Sequence, residues 1–216
     1  MTLRLWYHPY ASFCRKILIA LDEAQIAVEF RPVDLGDPAD RAALAALWPP
    51  MRFPVLEDAG RVIPETTIIA EHLALGRPAM RALLPEGAAG VEIRLWDRLM
   101  DLMGELPMQK IVGDWLRPAE ARDPHGLAEA ETQLRDFYAL IERQLAHGRD
   151  WIAGADFSLA DCAAQPALHF ARRVAPPLAP LPRFAAYCDR LDARPSVQRV
   201  DAAAAPFDIH FPVPGA

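Results

Sequence analysis

Leu3, Leu5 and Tyr7 alternate with Arg4, Trp6 and His8, the two-residue period of a short strand, and the pattern stops at Pro9. From Phe13 to Glu23 the period lengthens: Ile17, Leu18, Ala20 and Leu21 recur at helical spacing, and residues 27–30 then read as a second strand. A helix over residues 39–47 ends at Trp48-Pro49-Pro50. Pro54-Val55-Leu56-Glu57 and Arg61-Val62-Ile63 form a hairpin across Asp58-Ala59-Gly60, and residues 66–75 close this half as a helix. The order βαβ, α, ββ, α predicts a small mixed sheet with helices packed on it, the thioredoxin-like arrangement.

Beyond this point the strand period disappears. Leu127, Ala130, Leu134, Phe137, Tyr138, Ile141 and Leu145 form one apolar stripe of a long helix, and helical patterns follow at residues 159–172, 184–193 and 197–204. Pro107 interrupts an otherwise helical run and predicts a kink. The chain therefore divides into an α/β thioredoxin-like domain over residues 1–76, a Pro- and Gly-bearing linker over 77–90 and an all-α domain over 91–205. Beyond Pro206 the prolines predict an extended tail over 206–216.

Composition adds exclusions. Apolar residues make up 52% and charged residues 24% of the 216, enough for a packed core and far from a disordered composition. A formal charge of −6 without a basic run argues against nucleic acid or an anionic membrane as partner. No stretch approaches the roughly 18 apolar residues of a membrane span, and the first residues lack a signal-peptide pattern. Three cysteines without metal-like or redox-pair spacing fit a reducing compartment, so the expected location is cytoplasmic. The six histidines show no ligand spacing, and no metal is expected.

Three short constellations could grip a thiol peptide. Tyr10-Ala11-Ser12-Phe13-Cys14-Arg15 lies at the strand-to-helix turn, where free N–H groups and the helix dipole favour an anion and a hydroxyl could bond a thiolate. Lowering a thiol pKa from about 8.5 by some 2 units takes about 2.7 kcal/mol, within reach of one charge-assisted hydrogen bond of roughly 1.5–3 kcal/mol plus the dipole. Taken alone, Ser12 reads as an N-cap and Cys14 as a small buried hydrophobe. Arg52-Phe53-Pro54-Val55-Leu56 opens a strand, where a cis Pro54 would turn a neighbouring N–H and C=O outward; the plain alternative is a trans strand start. Pro64-Glu65-Thr66-Thr67 opens a helix, with Thr66 as cap and Glu65 as either a carboxylate for an ammonium or a solvated acid.

In their order and spacing these segments resemble the glutathione-binding domain of the glutathione S-transferase superfamily, in its bacterial Ser/Cys-type cytosolic form. The likeness continues in Phe157-Ser158-Leu159-Ala160-Asp161-Cys162, which also reads as a capping box between Ser158 and Asp161, and in Leu191-Asp192-Ala193-Arg194-Pro195-Ser196-Val197. The resemblance implies a transferase that binds glutathione as co-substrate, keeps its sulfur anionic and adds it to a small hydrophobic electrophile, with no further cofactor. Glu65 and Thr66 would hold the γ-glutamyl end, Phe53 beside Pro54 the cysteinyl unit, and Arg52 would lie near the glycyl carboxylate. Ser12 would be the catalytic hydroxyl, one residue later than in many serine-type members, where Ala11 stands here; Tyr10, Cys14 and Tyr7 remain alternatives. Met108, Gln109 and Trp115 would face the electrophile. Homodimerisation through residues 69–75 and 91–103 is a further implication. A glutathione-dependent thiol reductase, isomerase or dehalogenase, and a non-catalytic binding protein on the same scaffold, are the rival readings.

Overall fold

Period-two alternation at the start of the chain becomes β1 (Arg4–Tyr7), and the helical pattern after it becomes α1 (Ser12–Glu23), in a computed structural model that describes residues 3–146 and 148–212. β2 (Glu29–Pro32), α2 (Pro38–Leu47), β3 (Val55–Asp58), β4 (Arg61–Pro64) and α3 (Thr66–Gly76) follow. The sheet order is β2-β1-β3-β4; β1 runs parallel to β2 and antiparallel to β3, and β3 and β4 form the hairpin. Ala59 and Gly60 both take positive φ at its two-residue turn, where glycine carries no steric cost. Alternation sorts the strands' side chains. Leu5, Leu56 and Ile63 pack with Ile17 and Ala20 of α1 and Ile69, Ala70 and Leu73 of α3, while Trp6 and Val55 join Leu44 of α2 on the other face.

The second strand lies two residues later than residues 27–30. Its position is set by pairing with β1, Arg4 opposite Glu29 and Tyr7 opposite Pro32, and not by burial, since this edge strand leaves Phe30 exposed. Pro32 is tolerated at the end of an edge strand.

Segment 77–90, expected as a linker, holds α4 (Pro78–Leu83) and the start of α5 (Gly87–Leu99); Met80, Leu83 and Leu84 are buried, so the connection is packed into the core. At the predicted kink, α5 runs through a π-helical turn (Met100–Glu105) into α6 (Leu106–Trp115). The cause is Pro107, which has no N–H to give the Met103 carbonyl, so the preceding turn widens. Gly104 lies in that turn, where a Cβ would come within 3.2 Å of the Ala167 side chain; its absence lets the widened turn seat against the neighbouring helix.

α7 (Pro124–Leu145), α8 (Leu159–Val174), α9 (Pro182–Asp192) and α10 (Pro195–Ala204) complete the helical domain. α8 is its buried axis and starts with the expected capping box: Asp161 accepts from the Ser158 backbone N–H at 2.9 Å and also from Tyr187 Oη at 2.7 Å. The tail is not extended over its described part. A 3₁₀ helix spans Ala205–His210, with Pro206 in the first turn where its missing N–H costs nothing; residues 213–216 lie outside the described residues.

α1 joins the two halves. Its Lys16 Nζ sits 2.6 Å from Asp97 Oδ1 of α5 and 3.4 Å from Asp101, and donates to Thr67 Oγ1 of α3; the buried Arg15 reaches Gln165 of α8 and Asp201 of α10.

Candidate functional site

The first turn of α1, the loop before β3 and the start of α3 converge. Phe13, Trp48, Arg52, Phe53, Pro54, Glu65 and Thr66 line one cavity of roughly 100 Å³. All five residues proposed from sequence to bind glutathione are therefore together, with Phe13 and Trp48 added. The Phe53-Pro54 peptide is cis. Ladder pairing of β3 begins at Val55, so Phe53 stands outside it on both sides. Glu65 has φ 69° and ψ 123°, a conformation L-residues rarely adopt, and its side chain is exposed at the cavity. Thr66 is not the cap. Glu65 occupies the N-cap position, and the buried Thr66 donates its hydroxyl to the Phe13 carbonyl at 3.3 Å, tying α3 to α1.

Ser12 does not cap α1 either. Ala11 holds the N-cap position and Ser12 is the first helical residue; its Oγ donates to Glu105 Oε2 at 2.7 Å. Glu105 ends the π turn and is buried. Burial pushes its carboxyl up to about 7, with the Ser12 hydrogen bond opposing and the nearby Asp101 adding to the rise.

The three residues named as alternatives to Ser12 have other surroundings. Tyr7 packs against Phe30 and lines a separate groove with Leu18, Leu21 and Val200. Tyr10 Oη donates to Asp208 at 2.8 Å and accepts from Arg173, and burial with the Asp208 bond pushes its hydroxyl up to about 12. Cys14 is wholly buried, its sulfur facing the His8 backbone N–H at 3.5 Å, and desolvation pushes its thiol up to about 12, away from a nucleophilic thiolate. His8 bridges the cavity and the tail: its ring stacks 6.3 Å from Phe53 and meets Phe207 edge-on at 4.7 Å, while Nδ1 accepts from the Tyr10 N–H.

The three electrophile-site candidates are not brought together. Met108 is buried in the core, Gln109 faces solvent and Trp115 packs half-buried against the core, because positions 108 and 109 point about 100° apart on α6. Among the described residues no three His, Cys, Asp or Glu side chains cluster as metal ligands, and no helix is long and apolar enough to cross a membrane.

Sequence reasoning missed Glu105. Its bond to Ser12 spans 93 residues, and the one local signal was Pro107, which marks the widened turn without naming what the turn aims.

Residues 5–79 match the family model described as glutathione S-transferase, N-terminal domain, and residues 124–190 match glutathione S-transferase, C-terminal domain. No curated protein matches the chain. Among solved structures, a glutathione S-transferase from Methylobacillus flagellatus with glutathione bound is similar at 21% identity, covering 92% of this chain and 98% of that one, with a TM-score of 0.80. The theta-class glutathione S-transferase of Xanthomonas axonopodis pv. citri, also with glutathione bound, is 26% identical over 92% of this chain and 96% of its own, with a TM-score of 0.76. A glutathione transferase from Methylococcus capsulatus is 25% identical over 95% of this chain and all of its own, with a TM-score of 0.79. Two domain models matched in order, on a fold shared over almost the whole length of these structures, place the chain in the glutathione S-transferase superfamily.

Proposed function

We propose that the chain binds glutathione in the cavity between α1, the loop before β3 and α3, and adds it through its sulfur to a small hydrophobic electrophile. The observation that carries this reading is the convergence of Arg52, Phe53, Pro54, Glu65 and Thr66 on one cavity beside the first turn of α1. Phe53, unpaired in the ladder, offers main-chain N–H and C=O to the cysteinyl unit; Glu65 offers a carboxylate to the γ-glutamyl ammonium, and Arg52 a cation to the glycyl carboxylate. The tripeptide's sulfur is then held at the α1 N-terminus, where helix dipole and Ser12 hydroxyl stabilise a thiolate. Two structures with related folds have glutathione bound, which supports the same ligand here.

Burial of Cys14 weighs against the thiol-reductase alternative, which needs an accessible low-pKa thiol. A homodimer, cytoplasmic location and a role in detoxification accompany the reading. For the dimer, Leu75 of α3 and Val91 and Leu95 of α5 expose apolar side chains within the expected segments, with Ile68 just before the first; sedimentation of a monomer at micromolar concentration would rule it out.

Ser12→Ala tests the chemistry. Glutathione affinity measured by calorimetry should stay within about threefold, while turnover at neutral pH falls by roughly 10–100-fold, the loss of one charge-assisted bond. Unchanged turnover across several electrophile classes would remove Ser12 from the mechanism.

A further inference from the structure

The Ser12 hydroxyl carries one hydrogen, and in its bond to Glu105 Oε2 that hydrogen is already committed, so it is not free for a second acceptor. Glu105 is an unusual partner. It is buried, and among the described residues its side chain hydrogen-bonds only to Ser12. The cations nearby are engaged elsewhere: Lys16 with Asp97, Asp101 and Thr67, and Arg15 with Asp201 and Gln165. Asp101, one turn earlier on its own helix, adds a like charge, while α7 and α8 present Phe137 and Ala167 to the turn. A carboxyl so placed holds or releases a proton near neutrality.

We propose that Glu105 is a positioning residue that takes up the glutathione thiol proton through Ser12 and thereby turns the Ser12 hydroxyl toward the sulfur. This rests on the glutathione-transferase reading of the site. With Glu105 ionised, Ser12 donates to it and presents an oxygen lone pair to the incoming S–H. The S–H bond then breaks as a new Oγ–H bond forms; the old Oγ–H bond breaks as its proton joins Glu105 Oε2. Ser12 stays neutral throughout, no electrons are lost or gained, and the sulfur keeps the pair as thiolate. The protonated carboxyl now donates to Oγ, and the Ser12 hydrogen points at the thiolate. After the sulfur attacks, the proton leaves Glu105 by the same path, to the displaced group or to water. The π turn is what makes the contact: it is the segment in which Pro107 widens the helix, and Glu105 is its last residue.

The test is a pH titration of enzyme-bound glutathione followed by thiolate ultraviolet absorbance, on the wild type and on Glu105→Gln, whose amide oxygen still accepts from Ser12. Calorimetry gives glutathione affinity in parallel. In the wild type the bound thiol should ionise below the free-thiol value of about 8.5. In E105Q the midpoint should rise by at least about one pH unit, with a roughly tenfold or greater loss of kcat/KM at pH 7 that narrows at alkaline pH. Glutathione affinity should stay within about threefold, since no binding contact is removed. Glu105→Asp, which draws the carboxyl back from Ser12, should give an intermediate midpoint and serves if E105Q fails to fold. A wild-type titration curve in whichever variant folds, with glutathione still bound, overturns the relay and leaves the binding reading intact. Absence of glutathione binding by the wild type overturns both.

Discussion

Replacing Glu105 with glutamine removes a buried titrating group, and its effect on the pH dependence of stability has a definite sign. Burial carries this carboxyl from 4.5, its ordinary value, up to about 7 in the folded chain. Between those values the folded state binds a proton that the unfolded state has released. The resulting stabilisation is complete below about pH 4.5 and is lost as pH rises through about 7. The interval corresponds to about 3 kcal/mol at 1.36 kcal/mol per tenfold change in proton binding. Glutamine does not titrate, so E105Q should lack this contribution to the pH dependence. Relative to the wild type, it should gain about 2.5 kcal/mol between pH 5 and pH 8, a shift in urea midpoint difference on the order of 1 M for a chain of this size. The assay is equilibrium urea unfolding of both proteins at several pH values without ligand, where every other titrating group cancels in the difference. Parallel stability profiles would show that Glu105 is not held near neutrality and so cannot exchange a proton with the bound thiol at neutral pH. A variant more stable at pH 8 but slower in catalysis would be the trade expected of a charge kept buried for function.

Two other perturbations separate structure from binding. Lys16→Met strands Asp97, nearly inaccessible on α5, and should destabilise by about 3–5 kcal/mol in urea unfolding; adding Asp97→Asn should restore part of it, and strictly additive effects would deny the pair. Glu65→Gly and Glu65→Ala both remove the carboxylate and should weaken glutathione binding by about 10–100-fold in calorimetry. Only glycine relieves the positive φ, so E65G should be the more stable by about 1 kcal/mol, and equal stabilities would contradict the backbone reading.

What was legible in the sequence was what is local. The strand, helix and hairpin patterns each lie within a few residues, and so do the three constellations that line the cavity, at residues 10–15, 52–56 and 64–67. Arg52 through Pro54 and Glu65 with Thr66 could be picked out because each segment's backbone is shaped by its own turn. The capping box at Ser158 and Asp161 was legible for the same reason. The roles of Ser12 and Thr66 within their turns were not. Both sit one position inside the helix, where a side chain leaves the backbone amides and reaches a neighbour: Glu105 for Ser12, the Phe13 carbonyl for Thr66. Met108, Gln109 and Trp115 do not converge, because proximity to a kink does not state which way each residue turns. The edge strand slipped by two positions because its face is exposed and apolar pattern alone does not fix its register.

The five residues Ser12 to Lys16 explain why the motif is contiguous although its partners are scattered. A helix turns about 100° per residue, so consecutive side chains leave in different directions. Ser12 goes to the π turn, Phe13 to the cavity, Cys14 into the core under His8, Arg15 to α8 and α10, and Lys16 to α5 and Asp101. Ser12 and Lys16 are four apart and share a face; so do Asp101 and Glu105 in the chain opposite. Ser12 meets Glu105 and Lys16 meets Asp101, a two-rung antiparallel ladder between α1 and the widened turn. Sliding α1 by one turn would break both rungs together and leave the buried Glu105 and the half-buried Asp101 without their partners, which is a far larger cost than losing a single surface contact. The hydroxyl beside the cavity is thus held in place by the same contacts that join the two domains, and the charge that anchors them, Lys16, also bears on the proton affinity of Glu105.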